Sequence, residues 1–166
     1  SIRKAEDREL FKETMQELGS RMMLLYTEQQ RDADGILKRQ SEGTKDRMPV
    51  LRAMRDLAHE MRVALGGGGG LDEFARLLHE GWELKRSLGF GISMDKVDAW
   101  YDQARKLGAQ GGKLLGAGGG GFLLLVAPPE RHNLIRDALG RPRELALGID
   151  RRGGRIIFIS DHQRLL

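Results

Sequence analysis

Apolar residues recur at intervals of three and four through the middle of the chain, a spacing that places them on one face of an α-helix. The first such stretch runs from Pro49 to Leu65, with its proline in the first turn, where a helix does not need the missing N–H. After five glycines, Gly66 to Gly70, the spacing resumes from Leu71 to Leu88. Asp72 and Glu73 stand in its first turn, where the helix dipole favours acidic side chains. We therefore predict two amphipathic helices joined by a flexible glycine turn.

A third amphipathic helix is predicted after Ser93, a residue type that often caps helix N-termini. Its apolar face carries Val97, Trp100, Tyr101, Ala104 and Leu107, and Gly108 ends the pattern. Aromatic residues at helical spacing usually belong to a core, so we interpret Trp82, Trp100 and Tyr101 as packing residues. A shorter apolar pattern at Ala33, Ile36 and Leu37 indicates one more helix.

Strands are predicted towards both ends of the chain. Met22 to Tyr26 and Phe122 to Ala127 are short, continuous apolar runs of the kind found in buried strands. A short helix from Glu130 to Leu139 follows, and then two strands, Leu145 to Ile149 and Arg155 to Ile159. Strands on either side of a helical middle predict a layered α+β fold.

The composition is that of a globular domain, with 40% hydrophobic and 31% charged residues among 166. We therefore treat residues 1–166 as one domain. Its 28 Lys and Arg interleave with 24 Asp and Glu, so we expect no nucleic-acid partner. No apolar run reaches the roughly 18 residues of a membrane span, so no membrane partner is expected either. Because there is no cysteine, a reducing, cytoplasmic location is the default.

The segment from Gly111 to Gly121 is unusual because seven of its eleven residues are glycine. Consecutive glycines weaken regular structure, so a folded protein keeps them mainly where the backbone needs positive φ or approaches another group closely. Clustered backbone N–H groups in such a loop can also bind an anion. The composition therefore predicts either a phosphate-binding loop or a tight connection between two strands.

Two common nucleotide-binding motifs do not fit this segment. Gly116, Gly118 and Gly121 match the pattern G-x-G-x-x-G, but that motif opens a helix, whereas a predicted strand follows here. A Walker A loop needs Ser or Thr after its lysine, and Leu114 follows Lys113. The four histidines form no H-E-x-x-H zinc motif, so no metal site is predicted.

The stretch Gly112 to Phe122, G-K-L-L-G-A-G-G-G-G-F, closely resembles the third conserved motif of the GHMP kinases, the family of galactokinase, homoserine kinase and mevalonate kinase. Leu88 to Ser93 is similar to the segment that precedes an active-site helix in mevalonate-type and heptose-type members. Leu77 to Lys85 and Leu24 to Thr27 look most like kinases acting on D-glycero-D-manno-heptose 7-phosphate and their sugar-kinase relatives. Those relatives usually have glycine after the Tyr-Thr pair, where this chain has Glu28.

The resemblance implies the C-terminal domain of a small-molecule kinase, with an α+β fold: a ferredoxin-like antiparallel sheet with additional helices. In such kinases the N-terminal domain, absent from residues 1–166, binds most of ATP and Mg²⁺. No catalytic residue and no metal ligand is therefore expected here. The resemblance places these residues at the substrate and phosphate cleft: Gly89, Gly91, Ser93, Lys113, Gly116, Ala117, Gly118, Gly119, Gly120 and Gly121. The implied partners are the N-terminal kinase domain of the same protein and a sugar or sugar-phosphate substrate.

Structural alternatives stand beside these functional hypotheses. Ser93 also fits a helix N-cap, and Lys113 also fits a solvated strand position. For the whole chain, the competing hypothesis is a free-standing, non-enzymatic α+β module that binds a metabolite or a protein. The two hypotheses differ in what should precede Ser1, because only the kinase requires a glycine- and serine-rich phosphate loop upstream.

Overall fold

A computed structural model of the chain describes residues 2–29, 47–89, 94–116 and 120–149. The α-helices are α1 (Ile2–Arg21), α2 (Met48–Val63), α3 (Gly70–Ser87), α4 (Asp95–Lys106) and α5 (His132–Ala138). The strands are β1 (Met22–Tyr26), β2 (Gly111–Leu114), β3 (Phe122–Val126) and β4 (Glu144–Leu145). A π-helical turn, Ala64–Gly68, follows α2, and a 3₁₀ turn, Pro129–Arg131, precedes α5. None of the described helices is long and apolar enough to cross a membrane.

The four strands form one antiparallel sheet in the order β2-β3-β1-β4. Among the described residues, three α-helices lie between β1 and β2 along the chain, and α5 lies between β3 and β4. This is the strand order of a ferredoxin-like sheet with additional helices, so the predicted fold class is confirmed. The central pair, β1 and β3, aligns Met23 with Leu125 and Leu25 with Leu123.

The main core covers one face of the sheet. Met23, Leu25, Leu123 and Leu125 point to this face and are fully buried. The helices cover them with Trp82 of α3, Val97, Tyr101 and Ala104 of α4 and Ile135 of α5. Trp82 and Tyr101 are therefore packing residues, as predicted from their helical spacing.

A smaller cluster lies on the other face, where α3 passes over the edge of the sheet. Ala75 and Leu78 of α3 bury Val126 of β3 there, and Met61 of α2 packs against them. Helix α2 has no fully buried residue, and its contacts are mainly with α3 and the π-helical turn. Helix α2 is therefore attached to the sheet through α3.

The structure contains a strand, β2, in the first part of the predicted glycine loop, where the sequence offered a strand position for Lys113 only as the structural alternative. A Cβ on Gly111 would overlap the carbonyl oxygen of Ala75 in α3, and one on Gly112 would overlap the carbonyl oxygen of Leu124 in β3. These two glycines are needed because α3 and β3 approach the strand backbone closely. The first part of the glycine-rich segment is therefore explained by packing.

The other predicted helices and strands are largely confirmed. The glycine turn after α2 continues as a π-helix and packs against α1 and α3, so packing overrides the low helix propensity of glycine. The N-cap of α4 is Met94, one residue later than the predicted Ser93, and Met94 has the extended backbone of that position. The predictions for Ala33 to Leu37 and Arg155 to Ile159, like Ser93 itself, lie outside the described residues.

Two elements at the sheet edge and N-terminus differ from the sequence-based prediction. Helix α1, Ile2–Arg21, was not predicted, because its apolar residues have weak helical periodicity. The strand predicted from Leu145 to Ile149 is limited to Glu144–Leu145, and residues 146–149 are exposed and without strand pairing. Arg136 of α5 holds this short strand through two contacts with the Glu144 carboxylate, at 2.6 and 3.1 Å.

Candidate functional site

The glycine-rich loop connects the antiparallel neighbours β2 and β3. Leu115 N–H donates to the Phe122 carbonyl at 2.8 Å, which closes the base of the loop beyond the strand pairing. Leu115, Gly116, Gly120 and Gly121 are described, whereas 117–119, the predicted site residues Ala117, Gly118 and Gly119, lie outside the described residues. The site can therefore be built from the two ends of this loop.

The C-terminal end of the loop is fixed by residues that follow β1. Thr27 is fully buried, and its backbone N–H and its Oγ1 both donate to the Gly121 carbonyl, at 2.9 and 3.0 Å. Gly121 N–H donates in turn to the Gln29 carbonyl at 3.0 Å. A Cβ on Gly120 would overlap that same carbonyl oxygen, and both glycines have positive φ. Gly120 and Gly121 are thus required by the backbone path.

Lys85 of α3 holds the N-terminal end of the loop. Its Nζ donates to the Gly116 carbonyl at 3.1 Å. Gly116 has φ +85°, and a Cβ there would meet no atom within 4 Å. Gly116 is therefore needed for its backbone conformation, and the space beside it is open.

Three lysines from different elements lie around the described ends of this loop. Burial lowers the pKa of Lys85 in α3, and the nearby charge of Lys113 in β2 lowers it further. Lys96 of α4 lies 3.4 Å from the Thr27 carbonyl and 4.7 Å from the Trp100 ring centroid. Its Nζ is also 3.6 Å from the Glu28 carboxylate. These three lysine side chains place positive charge near the ends of the loop, which suits a phosphate group.

The second predicted segment is described only at its first residue. Gly89 lies just beyond α3, one helical turn after Lys85, with φ +77° and open space around its Cα. Its N–H donates to the Arg86 carbonyl at 3.0 Å. Gly91 and Ser93 lie outside the described residues. Because Lys85 contacts Gly116, the structure does bring the end of α3 to the glycine loop.

The sequence-based prediction missed Thr27, Lys85 and Lys96 as members of this site. Thr27 and Lys85 belong to segments that resemble the kinase family, but nothing in their spacing indicates a contact with the glycine loop. Lys85 precedes Gly89, a predicted site residue, by one helical turn, and this spacing is the feature of the sequence that could have indicated Lys85. Lys96 stands on the polar side of a helix, where a lysine is ordinarily solvated.

The described residues suit the phosphates of ATP better than its metal ion. Lysine side chains and a glycine-rich loop are groups that bind phosphate. By contrast, residues 2–29, 47–89, 94–116 and 120–149 include no group of three or more Asp, Glu or His that could hold a metal ion.

The antiparallel sheet and the glycine-rich loop between β2 and β3 can now be compared with known families. A sequence model of the family GHMP kinases C terminal matches residues 54–143, which is more than half of the chain. This match includes β2, the glycine-rich loop and β3. The chain therefore belongs to the GHMP kinase C-terminal domain family.

Individual relatives include two heptose kinases. The chain is 31% identical over 123 residues to D-glycero-α-D-manno-heptose 7-phosphate kinase from Campylobacter jejuni, and the match covers 72% of this chain and 36% of that protein. A crystal structure of D-glycero-D-manno-heptose 1-phosphate kinase from Bacteroides thetaiotaomicron is 26% identical, with a TM-score of 0.51, and the match covers 81% of this chain and 34% of that one.

Mevalonate kinases share the fold at lower identity. The crystal structure of L. major mevalonate kinase with R-mevalonate has a TM-score of 0.62 at 19% identity, covering 72% of this chain and 37% of that chain. The chain thus spans little more than a third of the length of these relatives.

Proposed function

We propose that residues 1–166 form the C-terminal domain of an ATP-dependent kinase that phosphorylates a sugar or sugar phosphate, with heptose phosphates as the first acceptors to test. The names of the Campylobacter and Bacteroides relatives support a heptose phosphate over mevalonate, because identity to them is higher than to the mevalonate kinase. The kinase assignment itself is supported by the family membership.

The observation that carries this proposal is that the glycine loop is held at both ends. Thr27 anchors it at Gly121, and Lys85 anchors it at Gly116. A loop fixed in this way can present backbone N–H groups at a constant position, and phosphoryl transfer depends mostly on positioning and charge stabilisation. Besides connecting two strands, this loop is contacted at its open end by a lysine from a separate helix.

In this proposal each predicted site residue has a role. Gly116, Ala117, Gly118, Gly119, Gly120 and Gly121 shape the phosphate cleft, and Lys113 contributes positive charge beside it. Gly89, Gly91 and Ser93 line the side of the acceptor substrate. ATP with Mg²⁺ would be bound mainly by the N-terminal domain, which also supplies the catalytic acid or base and the metal ligands.

An ADP-release assay on the full-length protein tests the proposal. We expect turnover with at least one acceptor from a panel of heptose phosphates, hexoses and mevalonate, in the presence of ATP and Mg²⁺. Absence of turnover with every acceptor would contradict the kinase function. The reading frame upstream of Ser1 gives an independent check, because it should encode a glycine- and serine-rich phosphate loop.

The role of the loop anchor is tested by Lys85→Met in the same assay. We expect kcat/KM to fall about tenfold or more, because the methionine keeps the length of the side chain but cannot hold the Gly116 carbonyl. Lys106→Met is the matched control, since Lys106 is an exposed lysine at the end of α4. Equal activity of the two variants would show that Lys85 does not position the loop.

A further inference from the structure

A cavity of about 230 Å³ lies between α2, α3 and the edge strand β2. Most of its lining is apolar, and the described lining residues are Met54, Leu57, Ala58, Met61, Leu78, Gly81, Trp82, Lys85 and Lys113. Gly81 contributes to the cavity because it brings no side chain, and a Cβ there would have only Met61 Cε nearby, at 3.9 Å. The cavity is therefore a space that an apolar group of modest size would fill.

The two polar residues that line this cavity are both lysines. Lys113 takes part in no ion pair among the described residues, and Lys85 donates to a neutral group, the Gly116 carbonyl. Four acidic residues of the same two helices, Asp56, Glu60, Glu80 and Glu83, line a neighbouring groove, which shares Leu57 with the cavity but includes neither lysine. Two lysines thus line one apolar cavity whose described lining includes no carboxylate.

Trp82, in the same lining, has an unsatisfied polar group. It is 1% exposed, and its indole N–H has no hydrogen-bond partner within the described part of the chain. A buried polar group without a partner is costly, so such a donor is unusual in a core. The cavity therefore combines apolar walls, two cations without an acidic partner and a residue with a free donor.

We propose that this cavity binds a phosphate monoester with an apolar body, with the phosphate held by Lys85 and Lys113 and the apolar body against Met54, Leu57 and Met61. A phosphate monoester carries a charge of about −1.5 to −2 near neutral pH, which matches two ammonium groups better than a carboxylate does. A sugar phosphate does not suit the apolar walls, so this ligand is different from the proposed kinase acceptor. It would share Lys85 and Lys113 with the phosphate cleft of the proposed kinase site.

Calorimetric titration of the purified full-length protein with hexyl phosphate tests the site. We expect saturable binding that Lys113→Met and Lys85→Met each weaken by about tenfold or more, the effect of losing one charge-assisted contact. Hexanoate should bind more weakly than hexyl phosphate, and hexan-1-ol and inorganic phosphate more weakly still. No binding of hexyl phosphate, or equal binding by both lysine variants and the wild type, would overturn the proposal.

Two further variants separate this cavity from the kinase site and from general charge effects. Ala58→Leu fills part of the cavity from the exposed helix α2 and should weaken hexyl phosphate without affecting inorganic phosphate. Lys106→Met removes one positive charge elsewhere and should leave the affinity unchanged. If Ala58→Leu has no effect, or if Lys106→Met weakens binding as much as Lys113→Met, hexyl phosphate binds outside this cavity. These measurements do not depend on catalytic turnover, so failure of the kinase proposal would not change them.

Discussion

At the scale of single residues, Glu28 occupies a backbone conformation that suits glycine. Its φ is +58°, in the left-handed region, where a side chain costs about 1–2 kcal/mol. The heptose-type kinases that this chain resembles usually have glycine at the corresponding place after the Tyr-Thr pair. The structure gives a physical reason for that glycine: the chain must turn sharply between Thr27, which holds Gly121, and Gln29, which accepts from the Gly121 N–H.

We therefore predict that Glu28→Gly stabilises the protein by up to about 1 kcal/mol. Removing the left-handed strain stabilises the folded state by more than the extra backbone entropy of glycine stabilises the unfolded state. The exposed contact of Glu28 with Lys96 contributes little to stability. Urea denaturation of both proteins measures the difference. Glu130→Gly, at an exposed position with ordinary backbone φ, is the control and should not stabilise. A lower free energy of unfolding for Glu28→Gly would show that the strain is not relieved.

A second feature at this scale is the side-chain contact between His79 of α3 and Tyr101 of α4. Their Nδ1 and hydroxyl oxygen are 2.8 Å apart, and Tyr101 is fully buried. Burial raises the pKa of the Tyr101 hydroxyl, so this group keeps its proton and can donate to the Nδ1 of a neutral His79. Burial, and then the charge of Arg105, lower the pKa of His79. A protonated His79 could only donate at Nδ1, so the Tyr101 hydroxyl proton would lose this acceptor.

This pair predicts a dependence of stability on pH. Because the pKa of His79 is lower in the folded state than the value of about 6.5 expected when unfolded, the unfolded state binds the proton more readily below pH 6.5. The contribution of neutral His79 to stability is complete above about pH 6.5 and is lost as the pH falls. We expect His79→Gln to flatten the decrease in urea midpoint between pH 6.5 and 5, whereas His59→Gln, at an exposed histidine, should not. Equal slopes for His79→Gln and wild type would contradict this account.

At the scale of secondary-structure elements, two glycines in or beside helix α3 differ in whether a side chain could be added. Gly111 of β2 allows the strand backbone to touch Ala75 in α3, where a Cβ would overlap a carbonyl oxygen. Gly81 lies inside α3 itself, beside a cavity, where a Cβ would have room. The close approach of β2 to α3 also brings Lys85 to the glycine loop, so the first glycine supports the geometry of the candidate site.

We predict that Gly111→Ala destabilises the protein by about 1–3 kcal/mol or more, because α3 and β2 would have to separate. Gly81→Ala should instead stabilise it by about 0.5–1 kcal/mol, because alanine is the better helix former and meets only Met61 Cε. Each kcal/mol corresponds to about 2–4 °C in Tm for a chain of this length. Thermal denaturation of both variants should give shifts of opposite sign. A Gly111→Ala protein with the same Tm as the wild type would mean that α3 and β2 are not in close contact.

The elements also show how far the sequence could predict the fold and the site. Helices α2, α3 and α4 and strands β1 and β3 have clear apolar periodicity, which is a local property that the sequence carries directly. Strand β2 could not be predicted, because its glycines are set by the distance to α3, a tertiary quantity. The same limit applies to the site: the glycine loop was found from its composition, whereas Thr27, Lys85 and Lys96 reach it only through the fold.

At the scale of the whole molecule, the domain places positive charge and backbone groups at one end of its sheet. Lys85, Lys96 and Lys113 come from three elements that meet there, and Lys85 and Lys96 both hold carbonyl groups of the chain. Part of the available charge is therefore used to position the backbone. We infer that this end of the domain completes a nucleotide site formed mainly by an N-terminal domain.

We predict that the isolated 166-residue chain binds ATP with Mg²⁺ only weakly, with a dissociation constant in the millimolar range, whereas the full-length protein binds it at least tenfold more tightly. Exposed charges are screened within about 8–10 Å at physiological ionic strength, so a few lysines beside an open loop attract a triphosphate weakly without metal ligands on the opposite side. Isothermal titration calorimetry on both proteins measures the two constants, and circular dichroism of the isolated chain establishes that it is folded during the titration. Lys113→Met should weaken ATP binding in the full-length protein while changing little in the isolated chain, because the lysine matters only when the other side of the site is present. Micromolar binding by the isolated, folded chain would place the nucleotide site within this domain and would overturn the division of the kinase proposed above.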